Sequence, residues 1–266
     1  PEPVHILETI VPLNEVLANP PLPGLVAQIG KRSDLKTATI NLPHLGPHLM
    51  IAGPSFSGKT SVLYTLLFAL TMHYSPEQLG VVLLDTRETL FNYRGQRSLS
   101  ELPHVLAAES ETAGIMQVVE HLEREGAALK QGTSKRSVLV LIDNFDEFSE
   151  ERELNDCVSR LASVARRYGR EGIHIVLAGM FDGNVSNDLR KRVQSSGYGI
   201  GLRTVQGLEP FRITKIPSSL QGQELTVGRG YMVRAGQLTQ VQVASPYHQQ
   251  AGVVDELTEE TRIARL

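Results

Sequence analysis

One octet constrains this chain more than any other segment. Residues 53–60 read Gly53-Pro54-Ser55-Phe56-Ser57-Gly58-Lys59-Thr60, a complete G-x-x-x-x-G-K-[ST] pattern. The pattern demands a strand before it and a helix after it. Leu49-Met50-Ile51-Ala52 supplies a short apolar run that ends at the loop. Residues 61–70 follow as a helix that is apolar on most sides. The two glycines let successive backbone N–H groups turn inward, which phosphate oxygens require. Lys59 brings a point charge to the β- and γ-phosphates. Thr60 offers a hydroxyl to Mg²⁺. A helix starting at Gly58 aims its positive end at the same anion. Gly53, Pro54, Ser55, Phe56, Ser57, Gly58, Lys59, Thr60 and Ser61 are therefore the candidate binding set, and ATP and Mg²⁺ the expected ligands.

The rest of the core alternates. Val81-Val82-Leu83-Leu84-Asp85 and Val138-Leu139-Val140-Leu141-Ile142-Asp143 are buried-strand patterns, and residues 173–178 are a third. Residues 112–129 and 154–168 carry helical stripes between them. This βαβα rhythm predicts an α/β fold with a mainly parallel sheet flanked by helices. Residues 1–47, rich in proline and glycine, read as a lead-in that packs on the core and carries a short strand at 37–42. The main domain spans 48–247. From about Tyr198 the period shifts to two, and residues 231–243 read as a hairpin in a β-rich C-terminal flap that covers one edge of the sheet. Residues 248–266 read as a polar helix or tail.

Composition excludes several classes. A net charge of −3 supplies no global field for nucleic acid. Residues 130–136 and 190–192 are the basic patches a DNA partner would use. Cys157 is the single cysteine, so the chain has no intrachain disulfide and no cysteine-based metal site. It reads as a small buried hydrophobe. No apolar run reaches membrane-spanning length. A chain opening on Pro1 reads as a piece of a longer protein, through which any membrane attachment would come.

Asp143 ends its strand beside the loop and is the candidate Mg²⁺-side acid, with Thr60 as its partner. Hydrolysing enzymes of this architecture place a glutamate directly after that aspartate. Here the position is Asn144, whose amide orients water but takes no proton at neutral pH. Losing a general base costs about 10²–10⁴ in rate, or roughly 3–5 kcal/mol of barrier. Asp146 and Glu147 are the nearby acids that could substitute. Solvated charges opening a helix are the plainer reading. Asp85 ends the neighbouring strand, where it either backs the metal site or pairs with Arg87. His48 and His174 read as structural. Leu208, Phe211, Ile213 and Ile216 could line a groove for a partner helix, although ordinary core is the simpler role.

Several segments together resemble the FtsK/SpoIIIE family of RecA-like P-loop motor ATPases. Pro47-His48-Leu49-Met50-Ile51-Ala52-Gly53 is similar to that family's PHLLVAG lead, and Gly172-Ile173-His174-Ile175-Val176-Leu177-Ala178 to its GIHLVLA strand. Leu84-Asp85 with Tyr93-Arg94 resembles its second strand. Within the family, the chain resembles the ATPase modules of the type VII secretion proteins EccC and EssC. Leu141-Ile142-Asp143-Asn144-Phe145-Asp146 is similar to their VVDDYD segment. Residues 7–13 and 228–233 also resemble those modules.

The resemblance implies an ATP-binding motor module of a cytoplasmic assembly, anchored to the membrane through its parent. Such modules form hexameric rings or tandem arrays and engage the C-terminal signal of export substrates. It implies an arginine supplied by a neighbouring module, for which Arg166, Arg167 and Arg170 are the candidates. Gly179-Met180 stands where the family places a polar sensor pair. With Asn144, that departure makes hydrolysis weak or dependent on assembly. A DNA translocase and a non-hydrolysing ATP-binding platform remain the alternatives.

Overall fold

In a computed structural model, residues 7–17, 22–93, 97–181, 187–203, 205–213 and 225–246 are described. The expected tail at 248–266, Arg94 and Ile216 lie outside them. Among the described residues, ten strands form one sheet. They are β1 (Val26–Arg32), β2 (Thr37–Asn41), β3 (Leu49–Ala52), β4 (Leu79–Leu84), β7 (Val105–Glu109), β8 (Ser137–Ile142), β9 (Ile173–Gly179), β10 (Tyr198–Leu202), β11 (Arg229–Arg234) and β12 (Gln237–Val243). Two short strands, β5 (Asn92–Tyr93) and β6 (Arg97–Ser98), pair separately. The sheet order is β2-β1-β12-β11-β10-β3-β9-β8-β4-β7. From β10 to β7 every neighbouring pair is parallel. From β2 to β10 every pair is antiparallel.

The helices are α1 (Leu42–Leu45), α2 (Lys59–Thr71), α3 (Thr112–Gln131), α4 (Phe145–Glu150), α5 (Asn155–Tyr168) and α6 (Asp188–Gln194). They fall on the two faces of the sheet. Leu49 and Ile51 of β3, Leu139 and Leu141 of β8, and Val176 and Ala178 of β9 face α2. Their neighbours Met50, Ala52, Val138, Val140, Ile175 and Leu177 face α3, α4, α5 and α6. Side chains of successive strand residues alternate in direction, so a sheet covered on both faces needs apolar residues at every position. That explains why these strands read as unbroken apolar runs. Residues 62–71 of α2 are all buried, which accounts for a helix apolar around its whole circumference. Cys157 is buried in α5.

The lead-in does more than pack on the core. Its strands β1 and β2 extend the main sheet, and Val11, Leu13 and Val16 enter the core around α2. The hairpin β11–β12 also continues the sheet through β10 and does not cover its edge, as the period-two pattern had suggested. Continuation satisfies the edge N–H and C=O groups of β10, which a covering flap would leave unpaired. Leu208 belongs to a small separate core with Leu225, Tyr231 and Val233, against which Phe211 and Ile213 pack.

His48 and His174 lie at the opposite end of the sheet from the loop at 53–60. His48 Nε2 contacts the Ala165 carbonyl at 3.0 Å, and its Nδ1 accepts from the Ile175 N–H. His174 Nδ1 contacts the Pro47 carbonyl. Burial pushes both imidazoles down to about 4, so they are neutral structural groups.

Candidate functional site

The site forms where β3, β9, β8 and β4 end, the crevice at which open parallel sheets bind ligands. Gly53 leaves β3 with its N–H on the Gly179 carbonyl. A side chain at Gly53 would stand 2.6 Å from Ser57 Oγ and 3.0 Å from Leu202 Cβ, so only glycine fits. Phe56 lies at the loop tip, 89% exposed. Gly58 adopts φ 99° as it enters α2, a left-handed turn that glycine alone adopts without strain. The loop closes against the segment before β11, where the Gly228 N–H donates to the Ser57 carbonyl at 3.0 Å.

Lys59 Nζ donates to the Gly53 and Pro54 carbonyls, both at 2.9 Å, which holds its charge over the loop. Thr60 Oγ1 donates to Asp143 Oδ2 at 2.6 Å. The strand order thus brings together two residues 83 positions apart. Asp143 is 1% exposed. Burial pushes its carboxyl above the usual range, against the Thr60 hydroxyl and the Asn144 N–H, which favour the ionised form. The donor set is oxygen from a hydroxyl and a carboxylate, which suits Mg²⁺. Among the described residues there is no cluster of three or more His, Cys, Asp or Glu that could hold a metal. A cation here would complete its shell with phosphate oxygens and water, as Mg²⁺ commonly does.

The acids after Asp143 have other engagements. Asn144 sits at φ 48°, a left-handed conformation that asparagine tolerates better than glutamate. Its Nδ2 donates to Asp85 Oδ1 at 3.1 Å and to Thr89 Oγ1 at 3.2 Å. Asp85, fully buried, also accepts from the N–H groups of Arg87 and Leu90 and from the Thr89 hydroxyl. It organises the turn after β4. Asp146 accepts from the N–H groups of Met180 at 2.6 Å and Phe181 at 2.9 Å. A side chain at Gly179 would stand 2.5 Å from Asp146 Oδ2, so glycine there makes room for that carboxylate. Glu147 makes a two-point ion pair with the Arg87 guanidinium.

Two cavities meet at Gly58. One, of about 460 Å³, is lined by the loop with Arg87, Thr89 and Asn144. The other, of about 540 Å³, is mostly apolar and runs between Ile10, Val62, Leu225, Val227 and Val243. Sequence reasoning took Arg87 only as a partner for Asp85 and missed the second cavity. The signal for Arg87 was its place just past the carboxyl end of a core strand, which drew attention to Asp85 instead. The walls of the apolar cavity come from segments more than 200 residues apart and left no local signal.

Arg166, Arg167 and Arg170 lie at or just beyond the C-terminal end of α5, which leads into the start of β9. That is the far end of the sheet from Lys59, so the structure does not bring them to the loop of their own chain. Arg167 lies over the Tyr168 ring, and Arg166 lines a cleft of about 450 Å³ with Lys191 and Arg192.

The model of the FtsK/SpoIIIE family matches residues 15–130. The ESX secretion system protein EccC of Thermomonospora curvata is 31% identical over 211 residues, 71% of this chain and 16% of that relative's length. The chain thus spans about one sixth of this relative. Among solved structures, ATPases 2 and 3 of Thermomonospora curvata EccC, in complex with a signal sequence peptide, superpose with a TM-score of 0.71. That match has 14% identity and covers 93% of this chain and 45% of the other. The pCW3 conjugation coupling protein TcpA, with ATPγS, gives a TM-score of 0.71 at 14% identity, over 98% of this chain and 76% of the other. At these identities the superpositions speak for the fold.

Proposed function

The chain belongs to the FtsK/SpoIIIE family of P-loop ATPases, and on that premise we propose that it is an ATP-binding module of a type VII secretion motor whose own hydrolysis is weak or depends on assembly. One observation carries the reading. The phosphate loop is complete and faces Asp143 through Thr60, while Asn144 stands directly after Asp143 and, in the ligand-free chain, Asp85, Asp146 and Glu147 are each bonded within the protein.

The geometry supports a division of labour. The N–H groups of the loop, the N-terminus of α2 and Lys59 would hold the phosphates. Thr60 and Asp143 would hold Mg²⁺, which supplies charge neutralisation at the phosphate oxygens. The apolar cavity beside Gly58 has the size and lining to take the base, with Val62 and Val227 against its faces. Asn144 can orient a water through its amide oxygen, but its two donors hold Asp85 and Thr89. The carboxylate beside it, Asp85, is fully buried and bonded to Arg87, Thr89 and Leu90. The arginines at the end of α5 could meet only the nucleotide of a neighbouring module.

The export-substrate signal, the ring of modules and a place on the cytoplasmic side of a membrane-anchored complex belong to the same reading. The EccC relative supports the secretion setting, and the peptide-bound EccC structure supports the signal. Among the described residues, no helix is long and apolar enough to cross a membrane. A DNA cargo has less support. Lys191 pairs with Asp188, and Arg190 stacks on Phe181 while donating to its carbonyl.

The test is to measure thermal stabilisation and phosphate release side by side with Mg-ATP. The proposal expects a clear stabilisation with slow release that rises when partner modules are added. Stabilisation with no release even in the assembly would convert the reading to a non-hydrolysing platform. Absence of stabilisation would remove the nucleotide site altogether.

A further inference from the structure

We propose that Arg87 is a positioning residue that reads the terminal phosphate of the nucleotide, and that Glu147 competes with the phosphate for it. The inference rests on the nucleotide-site reading above and adds to it a means of telling ATP from ADP.

Three observations converge. First, Arg87 lines the same cavity as the phosphate-loop residues Ser55, Lys59 and Thr60 and as Asn144. Second, its backbone is fixed. The Arg87 N–H donates to Asp85 Oδ1 at 3.0 Å, and the turn closes with the Glu88 N–H on the Asp85 carbonyl at 3.1 Å. Only the side chain is free to swing. Third, among the described residues the guanidinium has one exchangeable partner. It makes a two-point pair with Glu147, and the two side chains are 55% and 45% exposed.

Exposed ion pairs are weak because water and salt screen them. A γ-phosphate carries more charge than a carboxylate and presents oxygens that a guanidinium fork can grip at two points. In a cavity already made electropositive by Lys59 and the start of α2, the phosphate still outcompetes Glu147, since it adds negative charge where none of the lining residues is acidic. A nucleotide ending at the β-phosphate places its charge inside the loop and leaves Arg87 on Glu147. The exchange therefore reports the γ-phosphate specifically. It also releases Glu147 at the rim of the site only when ATP is bound.

Direct binding of Mg-ATP and Mg-ADP at fixed ionic strength, by displacement of a fluorescent nucleotide from the full chain, tests this. Arg87→Gln should weaken ATP about tenfold and leave ADP within about twofold. Glu147→Gln should strengthen ATP about threefold without moving ADP. In the Arg87→Gln background the Glu147→Gln gain should vanish. Arg87→Lys, which keeps the charge but loses the fork, should recover part of the discrimination. Both side chains are half exposed, so melting temperatures in the absence of nucleotide should match the wild type.

Equal effects of Arg87→Gln on ATP and ADP, or a Glu147→Gln gain that persists without Arg87, would overturn the inference while leaving the nucleotide site standing. A wild-type chain that binds neither nucleotide, or a Lys59→Ala variant that binds ATP as well as the wild type does, would instead overturn the underlying reading and this inference with it.

Discussion

The two halves of the site lie on neighbouring strand ends, yet they use their polar groups in opposite ways. On the phosphate side, Lys59 rests on carbonyls of its own loop and Thr60 on Asp143. The Lys59 bonds to Gly53 and Pro54 stay within the loop, the Thr60–Asp143 bond reaches a second strand, and a ligand can replace each of them. On the water side, Asn144 is tied to Asp85 and Thr89, and Asp146 to the N–H groups of Met180 and Phe181. Those contacts join different strands, and breaking them would leave turns without their internal partners. One half is arranged to receive a ligand. The other has been absorbed into the architecture.

The largest expected effect lies on the phosphate side. ATP at a hundredfold excess over Kd should stabilise the chain by about 2.7 kcal/mol. Lys59→Ala should remove nearly all of it. A thermal shift that survives the substitution would break the comparison at its strongest point.

Asn144→Glu probes the other half. If the site merely lacked a base, restoring glutamate would raise turnover by about 10²–10⁴. The structure predicts no such gain. The new carboxylate would lose the amide's bonds to Asp85 and Thr89, face a buried like charge, and occupy a left-handed backbone position that suits asparagine better. A loss of about 2 kcal/mol in stability, read from denaturant melts, is expected instead. Recovered turnover without that loss would show that the water side is dormant and not architectural.

Much of this was legible in the sequence. The loop at 53–60, the apolar helix after it and the pairing of Thr60 with Asp143 follow from a motif whose residues each have a physical task. The long apolar strands declared a sheet covered on both faces. Other features had no local signature. Gly30 pairs with Val243, and no local pattern announces a contact between segments so far apart. The lead-in therefore looked peripheral although it builds part of the sheet. Gly179 read as a missing sensor residue. Its cause is the Asp146 carboxylate, which occupies the space a side chain would need. Asp146 itself read as a spare acid because a bond to backbone N–H groups 34 and 35 residues away leaves no trace in composition or period.

That Asp146–Gly179 relation gives a smaller effect. Asp146→Ala should cost about 1–2 kcal/mol by leaving the Met180 and Phe181 N–H groups without their acceptor. Gly179→Ala should cost about 1–3 kcal/mol by forcing the carboxylate aside. Because the second penalty exists only while the carboxylate is present, the double variant should cost less than the sum. Additive costs would mean that Asp146 and Gly179 are independent, and that the water side is less tightly built than the bonds suggest.

The smallest effect concerns the residue that joins the two halves. Burial raises the Asp143 carboxyl above its usual range, so the folded chain binds that proton more tightly than the unfolded chain does. Its contribution therefore becomes less favourable as pH rises through the carboxylate range, and at neutral pH the ionised group costs stability. Asp143→Asn keeps an oxygen for the Thr60 hydroxyl and removes the charge. The ligand-free variant should melt roughly 2–4 °C higher at neutral pH, the shift that about 1 kcal/mol gives in a chain of this size. The advantage should shrink as the pH is lowered. The Mg²⁺-dependent part of the ATP shift should fall in the same variant, because the proposed Mg²⁺ site would lose its carboxylate. A variant that is less stable without ligand at neutral pH would mean that Thr60 and Lys59 already compensate the buried charge. Asp143 would then belong with the architectural half and not with the half that awaits a ligand.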